Sequence, residues 1–225
     1  MQQINYILNA FGGESSDLCI IFCSYAGING NKSVLALEKR LCFQIQKLLS
    51  KNNISLLLIK SSKQAKSGFS QATLFKKLDK YVRLNNKTNI SIIGISAGGE
   101  LALQYAKSAS HVFCILTLAL IGYIAEAQTI LPATVHSLTC LYGALDYIAY
   151  VDEEGNQAET MFPHDYGSLS CQNLVLTSGN KSILKVVKRA GHLLENTFGN
   201  PSRDGIRAIS KASFKEKKKN VFHSL

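Results

Sequence analysis

The strongest chemical signal in the chain is Gly94-Ile95-Ser96-Ala97-Gly98. A serine spaced between glycines as G-x-S-x-G fits a sharp strand-to-helix turn, a nucleophile elbow, which holds the hydroxyl clear of the backbone and ready to attack an electrophile. Both glycines have a steric reason, because a side chain at either position would collide with the neighbouring helix or strand. The flanks agree: Ile90, Ile92 and Ile93 form a β-branched apolar run before the turn, and Glu100 to Lys107 is a series of helix formers after it. A serine hydroxyl is a poor nucleophile near neutral pH. It needs an adjacent base, and the base needs a partner that fixes its tautomer. The chain has five histidines to draw on: His111, His136, His164, His192 and His223.

Apolar periodicity predicts the elements that must position these groups. Asp17 to Ser24 is a continuous apolar run of strand length, the pattern of a parallel strand buried on both faces. A short strand is predicted before it, over Ile4 to Leu8, with a Gly12-Gly13 turn. The run ends in the glycine-bearing loop Tyr25-Ala26-Gly27-Ile28-Asn29-Gly30-Asn31. Open α/β sheets place ligand contacts in such loops, outside the carboxyl ends of strands, so Tyr25 and Gly27 are candidate substrate contacts. Asn31 or Ser33 would cap a helix whose stripe is Leu35, Leu37, Leu41, Ile45, Leu48 and Leu49. Ile54 to Ile59 reads as a second buried strand, Ser70 to Asn85 as an amphipathic helix, and the Ser96 strand and its helix follow.

Further strands are predicted over His111 to Leu120, Val135 to Tyr142 and Ile183 to Lys188, with a closing helix from Pro201 that has a basic end. Between Tyr147 and Ser178 the pattern gives a turn at Asp152 to Asn156, a loop at Pro163 to Gly167 and a short extended piece at Asn173 to Thr177. Alternating strands and helices point to a parallel sheet with right-handed crossovers. A length of 225 residues fits a single domain of that class, with no second domain needed.

Composition excludes several other classes. The longest apolar run, Val112 to Ala125, falls short of the roughly 20 residues that span a bilayer. The opening Met-Gln-Gln-Ile-Asn-Tyr lacks the basic-then-apolar order of a secretory signal, so a soluble, cytoplasmic protein is expected. Six cysteines are scattered through apolar runs without a C-x-x-C pair, which favours reduced core thiols over metal or disulfide use. The net charge of +10 is concentrated from Lys181 to Arg189 and after Arg203, including Lys215, Lys217, Lys218 and Lys219. Solvated helix faces account for such charge by default, and attraction to an acidic protein, an anionic substrate or anionic lipid is the functional alternative. Nucleic acid is not expected, because the basic runs lack interleaved aromatics or a reading helix.

With elbow, strands and loop in place, residues 17–200 resemble the α/β-hydrolase family. The resemblance implies a three-layer sandwich with a mostly parallel central sheet, and a serine, acid, histidine order along the chain. Ser96, Asp146 and His192 fall in that order, each where a predicted strand ends. His192 follows Gly191 after an apolar run, as this family's histidine often does, and Asp146 lies just past Gly143. Asp152 and Asp165 remain alternatives for the acid. An acid-bearing strand at Asn173 to Gly179 would put Ser182 in the carboxylate position and leave too few residues before His192 for a crossover. The implied oxyanion hole is the Ala97 amide and the Ile28 amide of the first loop. Ala26 stands where many relatives have histidine, and the H-G-G-G run of one esterase branch is absent.

The expected function is hydrolysis of a carboxylic ester or thioester through an acyl-enzyme, with no cofactor or metal implied. The short connection after Leu120 predicts little or no lid, and the basic surface would suit an acyl-carrier-linked or coenzyme A thioester as well as a small-molecule ester. The rival expectation is a non-catalytic binding protein of the same fold, in which imidazole and carboxylate would not converge on Ser96.

Overall fold

The computed structural model describes residues 5–12, 15–24, 32–62, 69–109, 111–118, 129–146, 148–151, 157–161, 174–176 and 183–214. In chain order the elements are β1 (Asn5–Phe11), β2 (Asp17–Phe22), α1 (Lys32–Lys51), β3 (Ser55–Ser62), α2 (Gln71–Leu84), β4 (Asn89–Ile95), α3 (Gly98–Ser108), β5 (Val112–Leu118), β6 (Thr129–Leu131), β7 (Ser137–Gly143), β8 (Ile148–Val151), β9 (Gln157–Met161), β10 (Leu174–Leu176), β11 (Ile183–Val187) and α4 (Arg203–Phe214). Seven strands make the central sheet, in the order β1-β3-β2-β4-β5-β7-β11. All its pairings are parallel except that of β1, which lies antiparallel on β3 at one edge.

Strand residues alternate between two cores, which is why the strand sequences read as unbroken apolar runs. Leu18, Ile20 and Phe22 of β2 face α2 and α3, while Cys19, Ile21 and Cys23 face α1 and α4. Ile90 and Ile92 of β4 face the first side, Ile93 and Ile95 the second. Each fully buried Ile or Leu is worth about 2 kcal/mol over the exposed side chain, so both faces hold the sheet between its helix layers. The chain steps from β2 outward to β3 and then returns across β2 to β4. Right-handed crossovers in opposite directions put α1 on one face and α2 and α3 on the other. The reversal falls between β2 and β4, and the carboxyl ends of strands at such a switch point are where α/β sheets bind ligands.

Several boundaries differ from the sequence reading. The first strand runs to Phe11, beyond Leu8, because its full length pairs with β3. Ser33 lies inside the first turn of α1 and does not cap it, and Asn31 lies outside the described residues. Ser70 and Asn85 are the caps of α2; the Ser70 hydroxyl accepts from the Thr73 N–H. The connection expected before Val135 contains β6, which pairs in parallel with β10, the extended piece at Asn173 to Thr177. β8 and β9 form an antiparallel pair on either side of the turn expected at Asp152 to Asn156, which itself lies outside the described residues. Cys19, Cys23, Cys42, Cys114 and Cys140 are free and buried. Among the described residues no helix is long and apolar enough to cross a membrane.

Candidate active site

Ser96 follows β4, the middle strand of the seven, and holds a left-handed backbone conformation with φ 52°. Two hydrogen bonds fix the turn: the Ser96 N–H donates to the Leu118 carbonyl at 2.7 Å, and the Gly99 N–H donates to the Ser96 carbonyl at 2.9 Å. Glycine is required on both sides. A Cβ on Gly94 would lie 2.5 Å from the Gly99 Cα, and one on Gly98 would lie 2.4 Å from the carbonyl oxygens of Phe22 and Cys23. Those clashes are with backbone, so no rotamer change relieves them. At the start of α3, the Ala97 N–H has no hydrogen-bond partner among the described residues.

Asp146 and His192 come from two turns fastened to each other. β7 ends at Gly143, and the Asp146 N–H donates to the Gly143 carbonyl at 3.1 Å. The Ala144 N–H donates to the Val187 carbonyl and the Leu145 N–H to the Ala190 carbonyl, both at 2.9 Å, joining the acid turn to the end of β11. A Cβ on Gly143 would lie 2.2 Å from the carbonyl oxygens of Ala190 and Gly191, so this contact also depends on glycine.

The three side chains converge. His192 Nε2 is 3.1 Å from Ser96 Oγ, and His192 Nδ1 is 2.9 and 3.0 Å from the two carboxylate oxygens of Asp146. The Asp146 side chain has no solvent exposure, whereas that of His192 is 26% exposed. An ionised carboxylate can only accept, so the Nδ1–H donates to Asp146 and Nε2 is left as acceptor for the serine hydroxyl. This places an imidazole nitrogen on the serine hydroxyl and a buried carboxylate behind the imidazole. A binding protein without catalysis does not require that arrangement.

The fold supports comparison with solved structures. An α/β hydrolase of unknown function from Agrobacterium tumefaciens matches with a TM-score of 0.60 and 13% identity, over 95% of this chain and 91% of that one. The α/β-hydrolase domain-containing protein 10 of mouse matches with a TM-score of 0.56 and 11% identity, over 98% and 96%. The chain has the α/β-hydrolase fold. A carboxylesterase structure from the thaumarchaeon Nitrososphaera gargenis also shares it, with a TM-score of 0.52, 12% identity and coverage of 98% and 94%. No protein-family model matches the sequence, and no curated protein does either.

Within this α/β-hydrolase fold, other candidates from the sequence fall elsewhere or outside the described residues. His111 and His136 are exposed; His136 stacks on Phe113 with ring centroids 4.6 Å apart. Tyr25, Gly27, Ile28, Asp152, His164, Asp165 and His223 lie outside the described residues. Among the described residues no three His, Cys, Asp or Glu side chains gather as a metal site.

Two residues that the sequence reading passed over brace the rim of the site. Glu195 holds the histidine turn from both its backbone and its side chain. Its carbonyl accepts from the Gly191 N–H at 2.8 Å, and its carboxylate accepts from the Leu193 N–H at 2.7 Å. Glu38 of α1 is buried and accepts from the Ser24 N–H at 2.5 Å, while the Ser61 hydroxyl donates to the Ser24 carbonyl at 3.0 Å. Ser24 is therefore clamped on both sides at the end of β2. Burial pushes the Glu38 carboxyl above its ordinary value, and the bond from Ser24 opposes that shift. In the same layer, the contact with the Cys42 thiol and burial push the Cys23 thiol well up, leaving it an unreactive core group.

Proposed function

We propose that the protein is a serine hydrolase that cleaves a carboxylic ester or thioester through an acyl-enzyme on Ser96. The observation that carries this reading is the unbroken relay from Asp146 through His192 to Ser96 at the carboxyl edge of the sheet. His192 Nε2 takes the hydroxyl proton as Ser96 Oγ attacks the carbonyl carbon, and the Asp146 charge stabilises the imidazolium that forms. The Ala97 amide, at the positive end of α3, donates to the oxyanion, and Ile28 is the proposed second donor. Collapse of the tetrahedral intermediate expels the alcohol or thiol, which leaves with the proton from His192. Water, deprotonated by His192, then attacks the acyl-serine and releases the acid, restoring the Ser96 hydroxyl. Tyr25 and Gly27 are the proposed substrate contacts. The shared fold with a carboxylesterase supports an ester bond as the target.

Turnover of p-nitrophenyl acetate tests the assignment. Ser96→Ala and His192→Ala should each lower kcat by at least about 10³-fold, and Asp146→Asn by about 10²- to 10⁴-fold with the serine and histidine still in place. Unchanged turnover in Ser96→Ala contradicts the reading. Acyl-coenzyme A substrates separate thioester from ester: faster thioester turnover that falls with added salt selects the thioester, while salt-independent turnover no faster than that of the aryl ester selects the ester.

A further inference from the structure

β11 ends the central sheet on the side of His192. Its residues Ile183 to Val187 pair with β7, and no described strand pairs with its other edge. Between β11 and α4 lies a groove of about 320 Å³ whose floor includes Val187 and Ala208 and whose lining carries Lys185, Lys188, Arg207 and Lys211 against one acid, Asp204. Arg203, Arg207 and Lys211 recur every four residues, which stacks three like charges along one exposed face of α4. None of these cations is ion-paired among the described residues. Like charges at this spacing repel, so the helix would be more stable without them. Apolar groups are left open on the strand as well: Ile183 is 45% and Val186 44% exposed.

One lysine on an edge strand is enough to discourage stray pairing. Cations gathered from two elements around a concave apolar floor do more, because low-dielectric walls focus their field on an anionic partner. The form of the site selects among anions. A strand edge offers backbone N–H and C=O groups that only another polypeptide in extended form can complete. Among the described residues the groove has no aromatic platform for bases, which argues against single-stranded nucleic acid. A flat anionic membrane would leave the concave floor unfilled. A second copy of the chain, added edge to edge, would set Lys185 and Lys188 against their own counterparts.

We propose that the β11–α4 groove docks an acidic segment of another protein, laid in extended form beside β11. This goes beyond the hydrolase reading and does not depend on it. The test uses the full chain and a fluorescein-labelled ten-residue peptide of alternating Glu and Val, followed by fluorescence anisotropy and amide hydrogen exchange. Saturable binding is expected, together with added protection of the Ile183 to Val187 amides. The double variant Lys185→Glu, Arg207→Glu should weaken binding by at least tenfold, and Arg207→Glu alone should raise the unfolding temperature by relieving repulsion along α4. Lys217→Glu with Lys218→Glu should change binding less than twofold. The proposal is overturned if the tail variants weaken binding as much as the groove variants, if the β11 amides gain no protection, if the peptide does not bind, or if phosphatidylserine vesicles bind through Lys185 and Arg207 while the peptide does not. Ester turnover measured on the same variants should stay at the wild-type level, which keeps failure of this proposal distinct from failure of the hydrolase assignment.

Discussion

At Ser96 the chain passes from β4 into α3 within two residues; at His192 it leaves β11 and runs through an irregular turn before reaching α4. Both places hold residues in the left-handed region, Ser96 at φ 52° and, flanking His192, Arg189 at 55° and Leu194 at 57°. The means of holding them differ. The elbow is fixed by regular structure on both sides and by glycines that let backbone meet backbone. The histidine turn has no regular structure of its own, and it is fixed by Glu195 and by hydrogen bonds to the acid turn. Strain at Ser96 is thus maintained by close packing, and the orientation of His192 by two acidic side chains, Asp146 on its ring and Glu195 on the amides of its turn.

The most severe way to break the comparison is at the elbow. Gly98→Ala forces a Cβ to within 2.4 Å of the carbonyl oxygens of Phe22 and Cys23, and the expected loss is about 3 kcal/mol of stability together with activity, measured by denaturant unfolding and ester turnover. A cost below about 1 kcal/mol would mean that α3 can move away from β2. At the other turn, Glu195→Ala should lower kcat on the order of 10²-fold with KM nearly unchanged, because a misplaced base acts on the transition state more than on binding. Glu195→Gln keeps an acceptor for Leu193 and should restore kcat to within a few-fold of wild type. Equal losses in the two variants would remove Glu195 from a positioning role.

The elbow was legible in the sequence because its determinants are local. Gly94, Ser96 and Gly98 sit between a β-branched run and a helix former series, and the fold repeats that alternation of strand and helix from Asp17 to Leu118. Six of the seven sheet strands were recognisable as apolar runs, and the first, β1, as a shorter one. What escaped was non-periodic. β6 has only three residues and owes its pairing to β10, more than 40 residues later in the chain. Glu195 could be noticed only as an acid three residues after a histidine, and such spacing has no meaning until the turn folds back on itself. Glu38 looked like an ordinary polar position on α1. Its burial depends on Ser24, which approaches from a different element.

Smaller effects sharpen the same contrast. Ser96→Gly should be more stable than Ser96→Ala by about 1 kcal/mol, since only glycine enters the left-handed region without strain. Equal stabilities would mean that the positive φ carries no cost at the elbow. Glu38 is a side-chain brace like Glu195, but buried, and its signature is pH dependence. Its carboxyl is raised above the ordinary 4.5, so it holds its proton more tightly in the folded chain than in the unfolded one. Its contribution is therefore fully present below the ordinary value and is lost as pH rises through the raised one. Glu38→Gln, which retains an acceptor for Ser24, should match wild-type stability in acid and exceed it increasingly toward neutral pH. A stability difference that stays constant across that range would contradict the assignment.

The central claim is that Ser96 is a nucleophile activated by His192. Treatment with a fluorophosphonate, followed by mass spectrometry of the digested protein, tests it without knowledge of the substrate. One adduct is predicted, on the peptide that carries Ser96, formed much more slowly in His192→Ala and absent in Ser96→Ala. An adduct on a different residue, or labelling that persists in Ser96→Ala, would contradict the account.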